Sequence, residues 1–318
     1  MRTTATITQL ISAFIAEQDV APNSKDLYRR NLVLFFKWCH ASGIDQREVF
    51  ANHIVRYKQE QKDGGYSTLT IDNRLTTLRK FYRWMEQHNY CDNPMNTVRN
   101  YKKYKGYKKD PLTDAQVDLL LKSVNNSTQV GKRDLAIICL MLFNALREIE
   151  ISRINVGDIR DLNGSMVVAI QGKGCDSKDT VLPVSGYALA AIAEYMGTRA
   201  TSQDDEPLFI VHSYNHRHRR MSSKTVSDVV THYMRKSGVK SSRITPHSLR
   251  HTAAVRAIRQ GAQLYEVQLF LRHSSSNITQ IYTKMIEASM RLEKSPVRLL
   301  DGAYGIIKGT GEKQSKAG

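Results

Sequence analysis

The sequence has no apolar run long enough to cross a membrane. Its longest nearly unbroken one is LAIICLMLFNAL, residues 135–146, whereas a membrane-spanning helix needs about 20 apolar residues. This run predicts a buried helix instead. The first 18 residues have polar side chains within their apolar stretch and no small-residue cleavage site, so we expect neither a signal peptide nor a membrane anchor. We therefore expect a cytoplasmic protein without a membrane partner.

Cysteines are few and widely separated. The four at positions 39, 91, 139 and 175 show no pair with the spacing of a zinc site or a redox motif. This pattern predicts reduced thiols. Paired acidic clusters of the kind that hold two catalytic metal ions are also missing from the sequence. We expect no cofactor and no metal site.

Acidic residues are scarce relative to basic ones. The 318 residues include 47 Lys and Arg against 30 Asp and Glu, for a formal net charge of +17. Such an excess favours a polyanion partner, because every phosphate that is neutralised releases condensed counterions. Nucleic acid is the first candidate. An anionic membrane surface is the second, but no basic amphipathic helix with an aromatic face supports it.

The length favours two domains, and the first, residues 1–98, has a helical pattern. Amphipathic helices are predicted over residues 5–18, from Ser24, over 47–61 and from Thr70, which together indicate a small all-helical domain. The last of these helices has a basic face, which could be solvated charge or a phosphate-contacting surface. In so basic a chain we favour phosphate contact by Arg74, Arg79, Lys80 and Arg83.

A basic linker follows at residues 99–110. It has no apolar periodicity, and its extended length is about 40 Å at roughly 3.3 Å per residue. Its charge density favours contact with a DNA backbone over a merely solvated linker. The lysines predicted to make this contact are Lys102, Lys103, Lys105, Lys108 and Lys109.

The remainder, residues 111–305, is predicted to form one larger α+β domain, followed by a tail at 306–318 that is predicted to be disordered. Thr113 is expected to cap its first helix, and residues 134–154 are expected to be mostly helical. Strand-like runs at 166–170 and 180–184 predict a hairpin. Later helices are expected at 186–198, 223–237, 247–260 and 264–271. The predicted fold class is mainly α with a small antiparallel β-sheet.

Four short stretches of this domain have residues suited to phosphoryl chemistry. They are LREIE with Arg147, QGKGCDSK with Lys173, TPHSLRHT with His247 and Arg250, and LRHSSSNITQIYTK with His273 and Tyr282. Each residue alone has an ordinary explanation, such as an ion pair of Arg147 with Glu150 or a solvated turn lysine. The Ser- and Asn-rich stretch before Tyr282 predicts a turn that could present this tyrosine on a movable segment.

Together these residue types can break and rejoin a phosphodiester. Two arginines can bind the non-bridging oxygens and stabilise the charge of the transition state. A tyrosine hydroxyl can attack phosphorus and form a covalent ester. Histidine is suited to accept a proton, and lysine is suited to donate one to the departing oxygen.

The order and spacing of these motifs resemble the tyrosine recombinases of the phage-integrase and Xer type. The family's HxLRHT box matches HSLRHT, and its GHSS…TTQIYT box matches RHSSSNITQIYT. Its arginine followed three residues later by an acid matches Arg147 and Glu150, and its glycine-flanked hairpin lysine matches Lys173. The resemblance is most specific over residues 134–284 and extends to the helical domain, which is similar to the family's core-binding domain.

The chain departs from the family pattern in four places. Ala145 and Arg272 stand where the family usually has glycine, and Thr180 stands near a usual arginine. The hairpin turn after GKG is also about two residues longer than usual. None of these departures removes a catalytic residue.

The resemblance implies a site-specific recombinase that works through a 3′-phosphotyrosine on double-stranded DNA. It implies a homotetramer joined through the C-terminal segment, nucleoid association, and accessory DNA-bending proteins as a further class of partner. The alternatives are a type IB-like topoisomerase or telomere resolvase, and a non-catalytic DNA-binding regulator. The sequence leaves open the target site, and whether the reaction is integration, resolution, inversion or transposition.

Overall fold

The structure is a computed structural model that describes residues 4–101, 109–172, 175, 177–199, 203–212 and 219–272. The chain divides into two compact units, residues 1–105 and 106–318. This division falls within the predicted linker, while the exact domain limits stay a prediction. None of the helices in the described ranges combines the length and the apolar character that crossing a membrane requires.

The described part of the first unit is helical, as predicted. The second helix begins at Pro22, whose fixed φ suits the first turn of a helix, and the third begins at Ala51, four residues later than expected. The apolar stripes of the helices meet in one core that includes Phe14, Phe35 and Phe81. The helices are α1 (Ile7–Glu17), α2 (Pro22–Ala41), α3 (Ala51–Asp63) and α4 (Thr68–Gln87).

The chain after α4 folds back onto that helix. Arg79 donates from Nη1 to Asn100 Oδ1 and from Nη2 to Val98 O, both at 2.8 Å. The backbone N–H of Tyr101 donates to Asp72 Oδ1 at 2.9 Å. The first residues of the predicted linker are therefore anchored on the helical unit by side chains of α4.

The second unit contains helices around a three-stranded antiparallel sheet in the order β1-β2-β3, which confirms the predicted fold class. Thr113 caps the first helix of this unit, since Gln116 N donates to Thr113 Oγ1 at 3.2 Å. The elements are α5 (Asp114–Lys122), α6 (Gln129–Phe143), α7 (Glu148–Arg153), β1 (Ile159–Leu162), β2 (Ser165–Ile170), β3 (Thr180–Pro183), α8 (Gly186–Met196), α9 (Ser223–Lys236), α10 (His247–Arg259) and α11 (Leu264–Leu271).

Two features of this unit differ from the sequence prediction. The strand β1 was not predicted, and the helix expected over 134–154 is broken in two. The chain leaves α6 after Phe143, and Ala145 adopts a left-handed conformation with φ +51°. This conformation interrupts the helical hydrogen-bond ladder. Arg147 therefore lies at the N-cap of the short helix α7 rather than at the end of a long helix.

The helix α6 is the centre of the core of this unit. Its residues 136–142 are all buried, and it packs against α8, α9 and α10. Near its start, the chain approaches the helix so closely that only glycine fits at position 131. A Cβ there would lie 1.7 Å from the carbonyl oxygen of Asn125.

We expect Gly131→Ala to destabilise the second unit by about 1–3 kcal/mol or more, because the added methyl group must displace backbone. Gly186→Ala is the matched control. Gly186 is also in the first turn of a helix, and apart from its chain neighbours and the backbone of its own helix no described atom lies within 4 Å of a Cβ built there. The control should be neutral or stabilising, since alanine has the higher helix propensity. Thermal unfolding of the two variants checks this, and equal midpoints would contradict it.

Candidate active site

Arg147 is positioned by a fully buried carboxylate. Its guanidinium Nη1 donates to Glu150 Oε1 at 2.7 Å, and its backbone N–H donates to Glu150 Oε2 at 2.8 Å. The second bond caps the N-terminus of α7 in the way that an acidic side chain at the third helical position does. The guanidinium itself is only half-buried. It is therefore fixed on one side and accessible on the other.

Arg250, on α10, is 1% exposed and is among the largest fully buried side chains described. Its Nη1 donates to the carbonyl oxygen of Ala145, and its Nη2 donates to that of Leu271. These two acceptors belong to the turn before α7 and to the end of α11. Arg250 thus connects the first and the last motif of the candidate site.

His247 opens α10, one helical turn before Arg250. Desolvation lowers the pKa of His247, the carboxylate of Glu148 raises it, and the guanidinium groups of Arg250 and Arg147 lower it, so that the net direction is below the ordinary value. The neutral imidazole is therefore the favoured form near pH 7, and that form can accept a proton. The ring of His247 also meets His251 edge to face, with centroids 4.7 Å apart.

The other three predicted catalytic residues, Lys173, His273 and Tyr282, lie outside the described residues. The structure thus brings Arg147 and Arg250 close enough to His247 to affect its pKa. The assignment of all six residues as catalytic stays a prediction.

The described residues of the turn between β2 and β3 are held by side chains that the sequence patterns did not reveal. Arg153, at the end of α7, donates from Nη1 to Gly172 O at 2.8 Å. Lys178 forms an ion pair with Asp158, and the exposed Cys175 accepts at its carbonyl from Gln171 Nε2 at 2.7 Å. Arg153 follows Arg147 by six residues, and no sequence motif connects it with the hairpin.

The basic face predicted on α4 is in part used within the unit. Arg79 donates to the chain at 98–100. Lys80 is exposed and donates to Tyr28 Oη at 2.9 Å, and Arg74 lies 4.1 Å from the centroid of the Tyr66 ring. Arg83 is exposed. Contact of these side chains with DNA stays a prediction.

The predicted linker lysines are only partly within the described chain. Lys109 Nζ donates to Ser242 O at 2.8 Å, and the neighbouring Asp110 accepts two hydrogen bonds of 2.6 Å from the guanidinium of Arg243. The end of the linker is therefore anchored on the second unit. Lys102, Lys103, Lys105 and Lys108 lie outside the described residues.

Comparisons with protein families match both units. Residues 111–288 match the Phage integrase family, and residues 7–89 match the family described as Phage integrase, N-terminal SAM-like domain. The chain is 28% identical over 287 residues to tyrosine recombinase XerD of Yersinia pestis, a match that covers 90% of this chain and 94% of that protein. It is 31% identical over 255 residues to tyrosine recombinase XerA of Thermococcus onnurineus (strain NA1), covering 80% and 84%.

Solved structures share the fold. The XerH site-specific recombinase bound to a palindromic difH substrate aligns with a TM-score of 0.68 at 18% identity, covering 91% of this chain and 84% of that one. A lambda integrase tetramer bound to a Holliday junction aligns with a TM-score of 0.68 at 15% identity, covering 87% and 77%. At these identities the likeness shows the fold alone.

The charges around His247 predict that replacing Glu148 changes the pH dependence of phosphodiester cleavage. Glu148 raises the pKa of His247, so Glu148→Gln should lower this pKa further. If the neutral imidazole accepts the proton, phosphodiester cleavage by the variant should persist to lower pH than in the wild type. The measurement is the single-turnover cleavage rate on a nicked DNA substrate between about pH 5 and 8.

Glu194→Gln on α8 is the matched control, since it removes one exposed carboxylate that is not among the charges acting on the pKa of His247. A shift of the acid limb to higher pH in Glu148→Gln, or the same shift in both variants, would contradict the assignment of His247.

Proposed function

The chain belongs to the phage integrase family and is a tyrosine-type site-specific DNA recombinase, and on that basis we propose that Tyr282 is the nucleophile that cuts DNA. The observation that carries the proposal is the joint anchoring of Arg147 and Arg250 beside His247, whose pKa is lowered. This arrangement provides fixed positive charge and a proton acceptor in the unit whose sequence also includes Tyr282.

In the proposed reaction, the phenolic oxygen of Tyr282 attacks a scissile phosphorus. A Tyr282 Oη–P bond forms and the P–O5′ bond breaks, which leaves a 3′-phosphotyrosine and a 5′-hydroxyl. A histidine accepts the phenolic proton. The lowered pKa of His247 supports His247 in that role, and His273 is the second histidine among the six proposed catalytic residues. Lys173 donates a proton to the departing 5′ oxygen.

The 5′-hydroxyl of a partner strand then attacks the phosphorus of the phosphotyrosine, so that a P–O5′ bond forms and the Tyr282 Oη–P bond breaks. Lys173 takes back the proton of the 5′-hydroxyl, and the histidine returns its proton to the phenolic oxygen, which restores the enzyme. The covalent ester retains the energy of the broken bond, so the exchange needs no nucleotide hydrolysis.

Arg147 and Arg250 are proposed to bind the two non-bridging oxygens of the phosphate. Guanidinium groups stay charged and offer paired donors that match phosphate geometry. Arg147 is held by Glu150 before DNA binds and is partly exposed, so its guanidinium needs little reorganisation as charge develops in the transition state. Arg250 is buried in the described chain and has to become accessible to the phosphate when DNA binds.

The proposed substrate is double-stranded DNA with specific recombination sites. Four copies would assemble on two sites through the C-terminal segment, which lies outside the described residues. The assembly is supported by relatives of the same fold, one bound to difH DNA and one described as a tetramer on a Holliday junction.

The protein would act at the nucleoid, with accessory DNA-bending proteins as additional partners. The matched relatives do not favour a topoisomerase, a telomere resolvase or a non-catalytic regulator.

Tyr282→Phe should retain DNA binding and lose all covalent attachment, because the variant keeps the ring but lacks the attacking oxygen. A denaturing gel with a nicked suicide substrate measures the protein–DNA adduct, and a native gel measures binding. An adduct formed by the variant would exclude Tyr282 as the nucleophile. Supercoil relaxation by the wild type without any strand exchange would instead indicate topoisomerase activity.

The linker should add affinity without sequence preference, because phosphate contacts position a protein and do not specify a sequence. Changing Lys102, Lys103, Lys105 and Lys108 to Gln should weaken binding to specific and random DNA alike. It should reduce the slope of log K against log salt by up to about 0.9 for each phosphate that is no longer neutralised. Lys109→Gln is the comparison, and it should change the slope less because Lys109 already bonds Ser242 O. An unchanged slope in the fourfold variant would place the linker in solvent.

A further inference from the structure

Arg272 occupies a backbone conformation that favours glycine. It ends α11 with φ +51° and ψ +48°, in the left-handed region. Its backbone N–H donates to Leu269 O at 2.9 Å, which satisfies the end of the helix in the way that a C-terminal glycine usually does. Any residue other than proline can supply that N–H. The cap therefore does not explain why an arginine side chain stands here.

The side chain of Arg272 is directed inward. Only 12% of it is exposed, and both of its Nη atoms donate to acceptors of the protein. Its Nη2 donates to Glu150 Oε2 at 2.7 Å and to Ala145 O at 3.0 Å, and its Nη1 donates to Phe270 O at 2.9 Å. Two of these acceptors, Glu150 and Ala145, are also the acceptors that hold the candidate catalytic arginines.

Glu150 therefore has two guanidinium partners. Arg147 binds Oε1 and Arg272 binds Oε2. Burial alone would raise the pKa of Glu150, but the charge of Arg272, the N–H and charge of Arg147 and the charge of Arg250 together lower it below its ordinary value. Among these charges, that of Arg272 lowers the pKa of Glu150 most. It keeps the buried carboxylate ionised.

The carbonyl oxygen of Ala145 is also shared by two arginines, because it accepts from both Arg250 Nη1 and Arg272 Nη2. The carbonyl is presented by a second left-handed residue, since Ala145 itself has φ +51°. One side chain, Arg272, thus touches the positioning group of Arg147 and that of Arg250.

We propose that Arg272 is a positioning residue for phosphodiester cleavage, which acts through Glu150 and Ala145 to fix the guanidinium groups of Arg147 and Arg250. With Glu150 neutralised in part by Arg272, Arg147 gives one side-chain donor to the carboxylate and keeps its other donors for the phosphate. The proposal rests on the proposed DNA cleavage. It assigns to Arg272 no contact with the substrate.

The first test is single-turnover cleavage of a nicked suicide substrate by Arg272→Gly at saturating protein. Glycine is suited to the left-handed backbone, so the variant removes the guanidinium without adding strain. We expect cleavage to slow by about tenfold or more, the scale on which orienting partners act where they have been measured around metal sites. Half-site binding should stay within about twofold of the wild type, because the proposal gives Arg272 no phosphate contact. Arg272→Lys keeps the positive charge but not the planar set of paired N–H donors, so it should cleave faster than Arg272→Gly and more slowly than the wild type.

The second test is a double-mutant cycle with Glu150→Gln. Glu150→Gln alone leaves Arg272 buried without its counter-charge, which should slow cleavage strongly. Adding Arg272→Gly removes that stranded charge, so the double variant should be no slower than Glu150→Gln alone. If the two rate defects multiply instead, the residues act independently and the proposal is overturned.

Arg235→Ala is the control for the loss of one positive charge, since Arg235 is exposed at the end of α9. It should cleave at the wild-type rate. If Arg272→Gly does not fold, as judged by thermal unfolding, the double variant with both charges removed supplies the comparison with Glu150→Gln.

Cleavage by Arg272→Gly at the wild-type rate would overturn the positioning role while leaving the proposed function intact. Failure of the wild type itself to form an adduct would count against the proposed function instead.

Discussion

The candidate site depends on one buried carboxylate. Glu150 has no exposed surface, and a charge removed from water must be compensated by nearby charges and hydrogen bonds. Its compensation comes from the N-cap of α7 through Arg147 and from the end of α11 through Arg272, with Arg250 of α10 close enough to contribute. The start of α7 is thereby required to meet α10 and the end of α11, which follow it about 100 residues later in the chain.

The kind of acceptor that holds each arginine also determines how much of the positive charge of the group is left uncompensated. Arg250 donates to the carbonyl oxygens of Ala145 and Leu271, which orient a guanidinium without cancelling its charge. The carboxylate of Glu150 is shared between Arg147 and Arg272. The cluster thus keeps an excess of positive charge in a partly desolvated place. An anionic phosphodiester would be attracted to it more strongly than to the same charges in water.

Patterns of apolar residues and short motifs were sufficient to predict the helices of both units, the β2–β3 hairpin and the fold class. They did not predict β1, because three of its four residues are exposed and the strand shows no alternation. They did not reveal the break after Phe143 either, since the apolar run continues through Ala145 and Leu146 while only the backbone turns. Arg272 could be recognised as a departure from a glycine pattern. Its partner Glu150 lies 122 residues earlier, and only the folded chain brings the two together.

The distribution of the cysteines has a consequence for chemical labelling. Burial raises the pKa of the Cys39 and Cys139 thiols to about 12, so they stay protonated and shielded in the folded protein. Cys91 is half-buried, whereas Cys175 is exposed at the turn between β2 and β3. Because thiol reagents attack accessible thiolates, a fluorescent maleimide should attach first at Cys175, two residues after Lys173. Such a dye would report on the surroundings of the turn between β2 and β3 without any engineered cysteine.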